Sequence, residues 1–239
     1  NKDVFRTQLR AILRSTVSGN IRIMHPMISN VEEVIEANEV LEDARSELRS
    51  KGIPFDADCP VGVMIEVPAA AVVADQLAEE VDFFSIGTND LIQYTVAVDR
   101  GNERVAYLFD PYHPAVLRLI KSVVDVGHLQ GIPVTLCGEM AGDPWGSILL
   151  LGLGVDGFSM GPRALPGVKH VIRSVTMDQA RQLADHVMSL KTREDIWNFL
   201  KEAMPVDVLR TAEPAVSHEI HGGAERVGVV REGLQEEGV

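Results

Sequence analysis

Short β-branched apolar runs alternate along the chain with longer stretches whose apolar residues recur at three and four. That alternation predicts repeated βα units around a parallel sheet. Strands are predicted at residues 21–24, 61–65, 82–86, 134–137 and 157–160. An opening helix is predicted over 4–15. Ser29 reads as the N-cap of a second helix, with Glu32 completing a capping box. Val31, Val34, Ile35, Leu41 and Leu48 give that helix one apolar face. Pro68 suits the first turn of a third helix running to residue 80. Asp143 and Pro144 open another through 151. Thr176 with Gln179 makes a further capping box for a helix to about 190. A last helix is predicted over 192–204, with Trp197, Phe199 and Leu200 as core candidates.

From Pro205 onward the period is lost, and 205–239 hold five glycines and two prolines. This divides the chain into a βα domain, 1–204, and a tail, 205–239, expected to be mobile. His218 and His221 stand three apart in that tail. They read as solvated side chains before they read as metal ligands.

Composition narrows the picture. The chain has 239 residues, enough for one large domain or two small ones without disulfide staples. Its two cysteines, Cys59 and Cys137, point to a reducing compartment, and a cytoplasmic location is expected. No apolar run approaches the ~20 residues that span a bilayer, and the first residues lack a signal-peptide pattern. A formal charge of −13 repels nucleic acid and anionic membranes. An anionic substrate would need a local cationic site working against that field.

The βα pattern fits an open doubly wound sheet or part of a barrel. In both, ligands gather at the carboxyl ends of the strands. Glu66 follows one strand, and Asp90 follows the next after Gly87-Thr88-Asn89. Two carboxylates at neighbouring apolar strand ends repel unless a cation lies between them. Magnesium takes one or two carboxylates and completes its shell with water and phosphate oxygens; helix caps or arginine pairs would serve equally. Exposed amides around Asn89 could bind a phosphate oxygen, although turns favour the same residues. Arg100 carries a planar fork suited to carboxylate or phosphate, or is plain surface charge. Cys137 ends a strand, as a buried hydrophobe or as a protonated thiol able to give its proton. Cys59 has no assigned role.

Four stretches then stand in a familiar order. They are Gly62-Val63-Met64-Ile65-Glu66-Val67-Pro68-Ala69-Ala70, Phe83-Phe84-Ser85-Ile86-Gly87-Thr88-Asn89-Asp90-Leu91, Ala97-Val98-Asp99-Arg100-Gly101-Asn102, and Leu136-Cys137-Gly138-Glu139-Met140-Ala141-Gly142-Asp143. Together they resemble the phosphoenolpyruvate-binding domain of enzyme I, the phosphoenolpyruvate–protein phosphotransferase of the bacterial phosphotransferase system, in its sugar or nitrogen-related branch. The resemblance covers roughly residues 4–200. It implies a TIM-type (β/α)8 barrel with its site at the C-terminal face, Mg²⁺ on Glu66 and Asp90, and phosphoenolpyruvate on Asn89 and Arg100. It makes Cys137 the acid that converts the enolate to pyruvate. It also implies a phosphocarrier partner reached through a histidine domain, and a homodimer.

The resemblance is incomplete. About five βα units are present, and the match begins before the family's fourth strand. Two arginines that grip phosphate in the family have no counterpart here, nor does the phosphohistidine motif. This chain alone is therefore expected to be an incomplete enzyme. A pyruvate phosphate dikinase or phosphoenolpyruvate synthase barrel, a small-acid lyase on a related barrel, and a non-catalytic dimerisation or regulatory fragment are the competing readings.

Overall fold

The structure, a computed structural model, describes residues 1–203. The expected tail, with His218 and His221, lies outside the described residues. Five strands form one parallel sheet: β1 (Ile23–His25), β2 (Val61–Ile65), β3 (Phe83–Gly87), β4 (Val134–Cys137) and β5 (Gly157–Ser159). Their order in space is their order in sequence. A doubly wound sheet reverses direction at a switch point, whereas this one advances one way, as a barrel wall does. The described residues thus form an arc of a (β/α)8-type barrel.

Helix α1 (Lys2–Ser15) precedes the sheet, and α2 (Val31–Ser50) joins β1 to β2. Two short helices, α3 (Pro68–Val72) and α4 (Ala74–Leu77), lead to β3. The next crossover holds α5 (Thr88–Val96) and α6 (Pro114–Gln130). Helix α7 (Pro144–Leu153) links β4 to β5, and α8 (Leu165–Arg173), α9 (Met177–Ser189) and α10 (Arg193–Ala203) follow.

Several boundaries differ from the sequence reading for local reasons. The first strand extends through His25, because His25 pairs with Val63, and Pro26 then removes the next donor. Asn30, not Ser29, caps α2: its side chain accepts from the Glu33 amide at 3.0 Å. The Glu33 carboxylate in turn accepts from the Ser29 amide at 2.7 Å. The helix expected over 69–80 breaks at Val73, where φ is −104° and ψ 23°. The capping box of Thr176 and Gln179 is present as read.

The strand runs Val63–Ile65, Phe84–Ile86 and Val134–Leu136 supply buried apolar residues to the main core. A second core lies under α1 and α2, where Leu9 and Leu13 pack with Val40, Leu41, Leu48, Ile23 and Val61. Cys59 belongs to it, its thiol donating to the Ile21 carbonyl at 3.4 Å. Leu13 is fully buried, so Leu13→Ala should cost roughly 2–5 kcal/mol. At the other end, Leu200 is buried, and the Trp197 ring meets Tyr112 at 4.7 Å and Trp145 at 6.4 Å. Arg193 pairs with the buried Asp110 at 3.3 Å, so α10 is fastened to the β3–β4 crossover.

Candidate active site

Parallel strands place all their carboxyl ends on one edge. Ile65 pairs with Ile86, Gly87 with Cys137, and Cys137 with Ser159. Glu66, one residue past β2, therefore stands level with Gly87 and Cys137. Asp90 is in the first turn of α5, which starts directly where β3 ends. No free turn separates them, contrary to the sequence reading. Asn89 and Asp90 are helical residues whose amides lack intrahelical acceptors.

Glu66 is 4% exposed. Its Oε1 accepts from the Met27 amide at 2.7 Å. Its Oε2 lies over Gly87, where a β-carbon would stand only 2.9 Å away. Burial pushes the Glu66 carboxyl above its ordinary range; the Met27 amide opposes this, and the charge of Asp90 adds to it.

Cys137 is half-buried, and Ser85 Oγ donates to its Sγ at 3.9 Å. Burial pushes the thiol up, the Ser85 contact works against this, and the charges of Glu66 and Asp90 push it up further. Those three residues share one electrostatic neighbourhood, and the thiol stays protonated at neutral pH. Gly138 follows with φ 107°, a conformation that L side chains rarely adopt. A β-carbon there would strike Thr88 Oγ1 and lie 3.1 Å from Asn89 Oδ1. Thr88 Oγ1 donates to the Cys137 carbonyl at 2.9 Å, and the Glu139 amide donates to Asn89 Oδ1 at 3.2 Å. The start of α5 thus clamps the end of β4, and the Asn89 side chain is already engaged.

A cleft of about 590 Å³ opens beside this clamp, lined by Asn89, Cys137, Glu139, Ser159, Met160 and Arg163 among others. Arg100 is not among them. It is exposed on the loop after α5, with its amide donating to Gln93 Oε1 at 3.3 Å. The structure brings together Glu66, Asn89, Asp90 and Cys137, but not Arg100. Arg163 is the residue that sequence reasoning passed over. It follows β5 at the same carboxyl edge, so the rule that selected the others applied to it too.

Among the described residues no group of three or more His, Cys, Asp or Glu forms a ready metal cage. Two hard carboxylates, one of them buried with no cationic partner among the described residues, fit a magnesium ion that takes its remaining ligands from water and substrate. No helix of the described residues is long and apolar enough to cross a membrane.

Fold and site together define a parallel α/β barrel-type domain with carboxylates and a thiol gathered at its carboxyl edge. The family described as PEP-utilising enzyme, PEP-binding domain matches residues 1–177, and the chain belongs to it. It is 50% identical over 200 residues to a phosphoenolpyruvate-protein phosphotransferase of Bacillus sp. (strain S), covering 84% of this chain and 35% of that protein. The protein of the same name from Haemophilus influenzae is 48% identical over 201 residues, with the same shares covered. The chain thus spans about a third of the length of these relatives. A citrate lyase structure from Burkholderia xenovorans superposes with TM-score 0.53 at 20% identity, covering 86% of this chain and 72% of that one. That likeness speaks for the fold alone.

Proposed function

We propose that this chain is the phosphoenolpyruvate-binding part of a phosphotransferase that passes the phosphoryl group to a protein histidine and releases pyruvate. The observation that carries the reading is the gathering of Glu66, Asp90 and Cys137 in one electrostatic neighbourhood at the carboxyl edge of the sheet, with Cys137 also lining the cleft. The names and identity of its relatives support the same chemistry. Glu66 and Asp90 hold Mg²⁺, which neutralises phosphate charge when bound. Glu66 is kept in place by the Met27 amide and by its fit over Gly87. Asn89 offers its backbone amide at the start of α5 to a substrate oxyanion. Phosphoryl transfer asks mainly for this positioning and charge compensation.

Loss of the phosphoryl group breaks the P–O bond and leaves an enolate. Cys137 then gives its thiol proton to C3, forming the C–H bond of pyruvate, and the thiolate regains a proton from solvent. A thiol held protonated by burial and by two neighbouring carboxylates is suited to that step. Arg100 joins the substrate only if its loop moves, since it lies outside the cleft in the structure. The phosphate-accepting histidine, the phosphocarrier protein and a second copy of the domain are the partners of this reading.

Calorimetric titration with phosphoenolpyruvate tests it. Binding at or below millimolar ligand in the presence of Mg²⁺, and none with chelator, is the expected result. Absence of Mg²⁺-dependent binding overturns the reading. With labelled phosphoenolpyruvate this chain alone is expected to remain unlabelled.

A further inference from the structure

The cleft lining carries one acidic residue, Glu139, and, among the described residues, one basic residue, Arg163. The whole chain carries −13, so a multiply charged anion approaches against the global field. Arg163 is exposed and makes no ion pair among the described residues. A cation at the wall of a cleft, uncommitted to any carboxylate, is free to meet a ligand.

Its backbone is held there. The Ala164 amide donates to the Gly161 carbonyl at 3.0 Å, closing a tight turn over Gly161-Pro162-Arg163-Ala164. Proline at the second position pre-sets that turn. Ala164 then abuts the 139–142 segment: a β-carbon on Gly142 would stand 3.2 Å from Ala164 Cβ. Ser159, at the other end of the same loop, pairs in register with Cys137. The β5–α8 loop is thus seated against the loop that carries Cys137, Gly138 and Glu139, and Arg163 on it lines the cleft.

We propose that Arg163 is a substrate-binding residue, its guanidinium pairing with an oxyanion of a phosphorylated three-carbon acid bound in this cleft. The inference rests on reading the cleft as the phosphoenolpyruvate site. It adds a contact that none of the four sequence stretches contains. The planar fork can meet a carboxylate or phosphate through two parallel hydrogen bonds, which the point charge of lysine cannot reproduce.

Magnesium phosphoenolpyruvate is titrated into the full chain and into Arg163→Gln, Arg163→Lys and Lys169→Gln. Lys169 is exposed on α8 and does not line the cleft, so its loss changes net charge equally without touching the site. The dissociation constant is expected to rise at least about tenfold in Arg163→Gln, less in Arg163→Lys, and to stay unchanged in Lys169→Gln. Affinity of Arg163→Gln should also fall less steeply with added salt. A loss under threefold in Arg163→Gln overturns the proposal, as does an equal loss in Lys169→Gln, which would mark a general field effect. A wild-type chain that binds nothing removes the substrate reading and this inference with it. A wild type that binds, beside an unaffected Arg163→Gln, removes this inference alone.

Discussion

Met27 holds Glu66: its amide donates to the carboxylate Oε1 at 2.7 Å from a backbone in the left-handed region, φ 56°. A non-glycine residue in that region is uncommon and costs free energy. Here it aims an amide at a buried acid and leaves the other oxygen, Oε2, above Gly87. Gly87→Ala should therefore dislodge Glu66, because the new methyl would lie 2.9 Å from Oε2 and 2.9 Å from Met64 Sδ. Expected is at least a tenfold loss (about 1.4 kcal/mol) in Mg²⁺-dependent phosphoenolpyruvate affinity, read by calorimetry, with the fold retained by circular dichroism.

The two thiols should separate by reactivity. Cys59 is 2% exposed and donates to a carbonyl, whereas Cys137 is half-buried at the cleft. Iodoacetamide is expected to modify the native chain once, at Cys137. Because the Cys137 thiol is pushed up, its labelling should quicken as pH rises above neutrality. Magnesium phosphoenolpyruvate should protect it. Mass spectrometry after timed quenching gives the site and rate; equal labelling of both thiols would count against the assignment.

His25 supplies a pH prediction. It is buried beside Phe5 and Asn38, and burial holds its imidazole below the usual value, against the raising effect of the Asn38 contact. Below about pH 6.5 the unfolded chain binds this proton more readily than the folded one. The contribution to stability is therefore complete above that pH and is lost as pH falls. Thermal melts should show a decline as pH falls below about 6.5 that His25→Gln flattens. An unchanged slope in the variant would contradict the assignment.

The strands β1 and β5 border the sheet of the described residues. Open edges promote association, and a homodimer is expected by light scattering at micromolar concentration. A clean monomer there would contradict it.

Much of the candidate site was legible because parallel βα architecture places strand ends together. Glu66, Asp90 and Cys137 could each be read from an apolar run followed by a polar residue. The turn expected before Asp90 was not there, since α5 begins on the residue after β3. Helix α6 escaped notice although Pro114 at its start and Gly131 at its left-handed end punctuate it. Its apolar face of Val116, Leu117, Ile120, Val123 and Val124 also has helical period. Helix α7, buried on most of its surface with little polar face to mark its period, is legible instead from its Asp143-Pro144 start. Arg163 lines the cleft and Arg100 does not, for a long-range reason. Only folding sets the β5–α8 loop beside the Cys137 loop, and a motif match cannot report which loops close over a cleft.

The most direct test is a crystal structure of this chain soaked with Mn²⁺ and phosphoenolpyruvate. The account predicts an anomalous peak coordinated by Glu66 and Asp90, with the ligand alongside in the cleft and its C3 facing the Cys137 sulfur. A metal bound away from both carboxylates, or a ligand seated out of reach of Cys137, would contradict it.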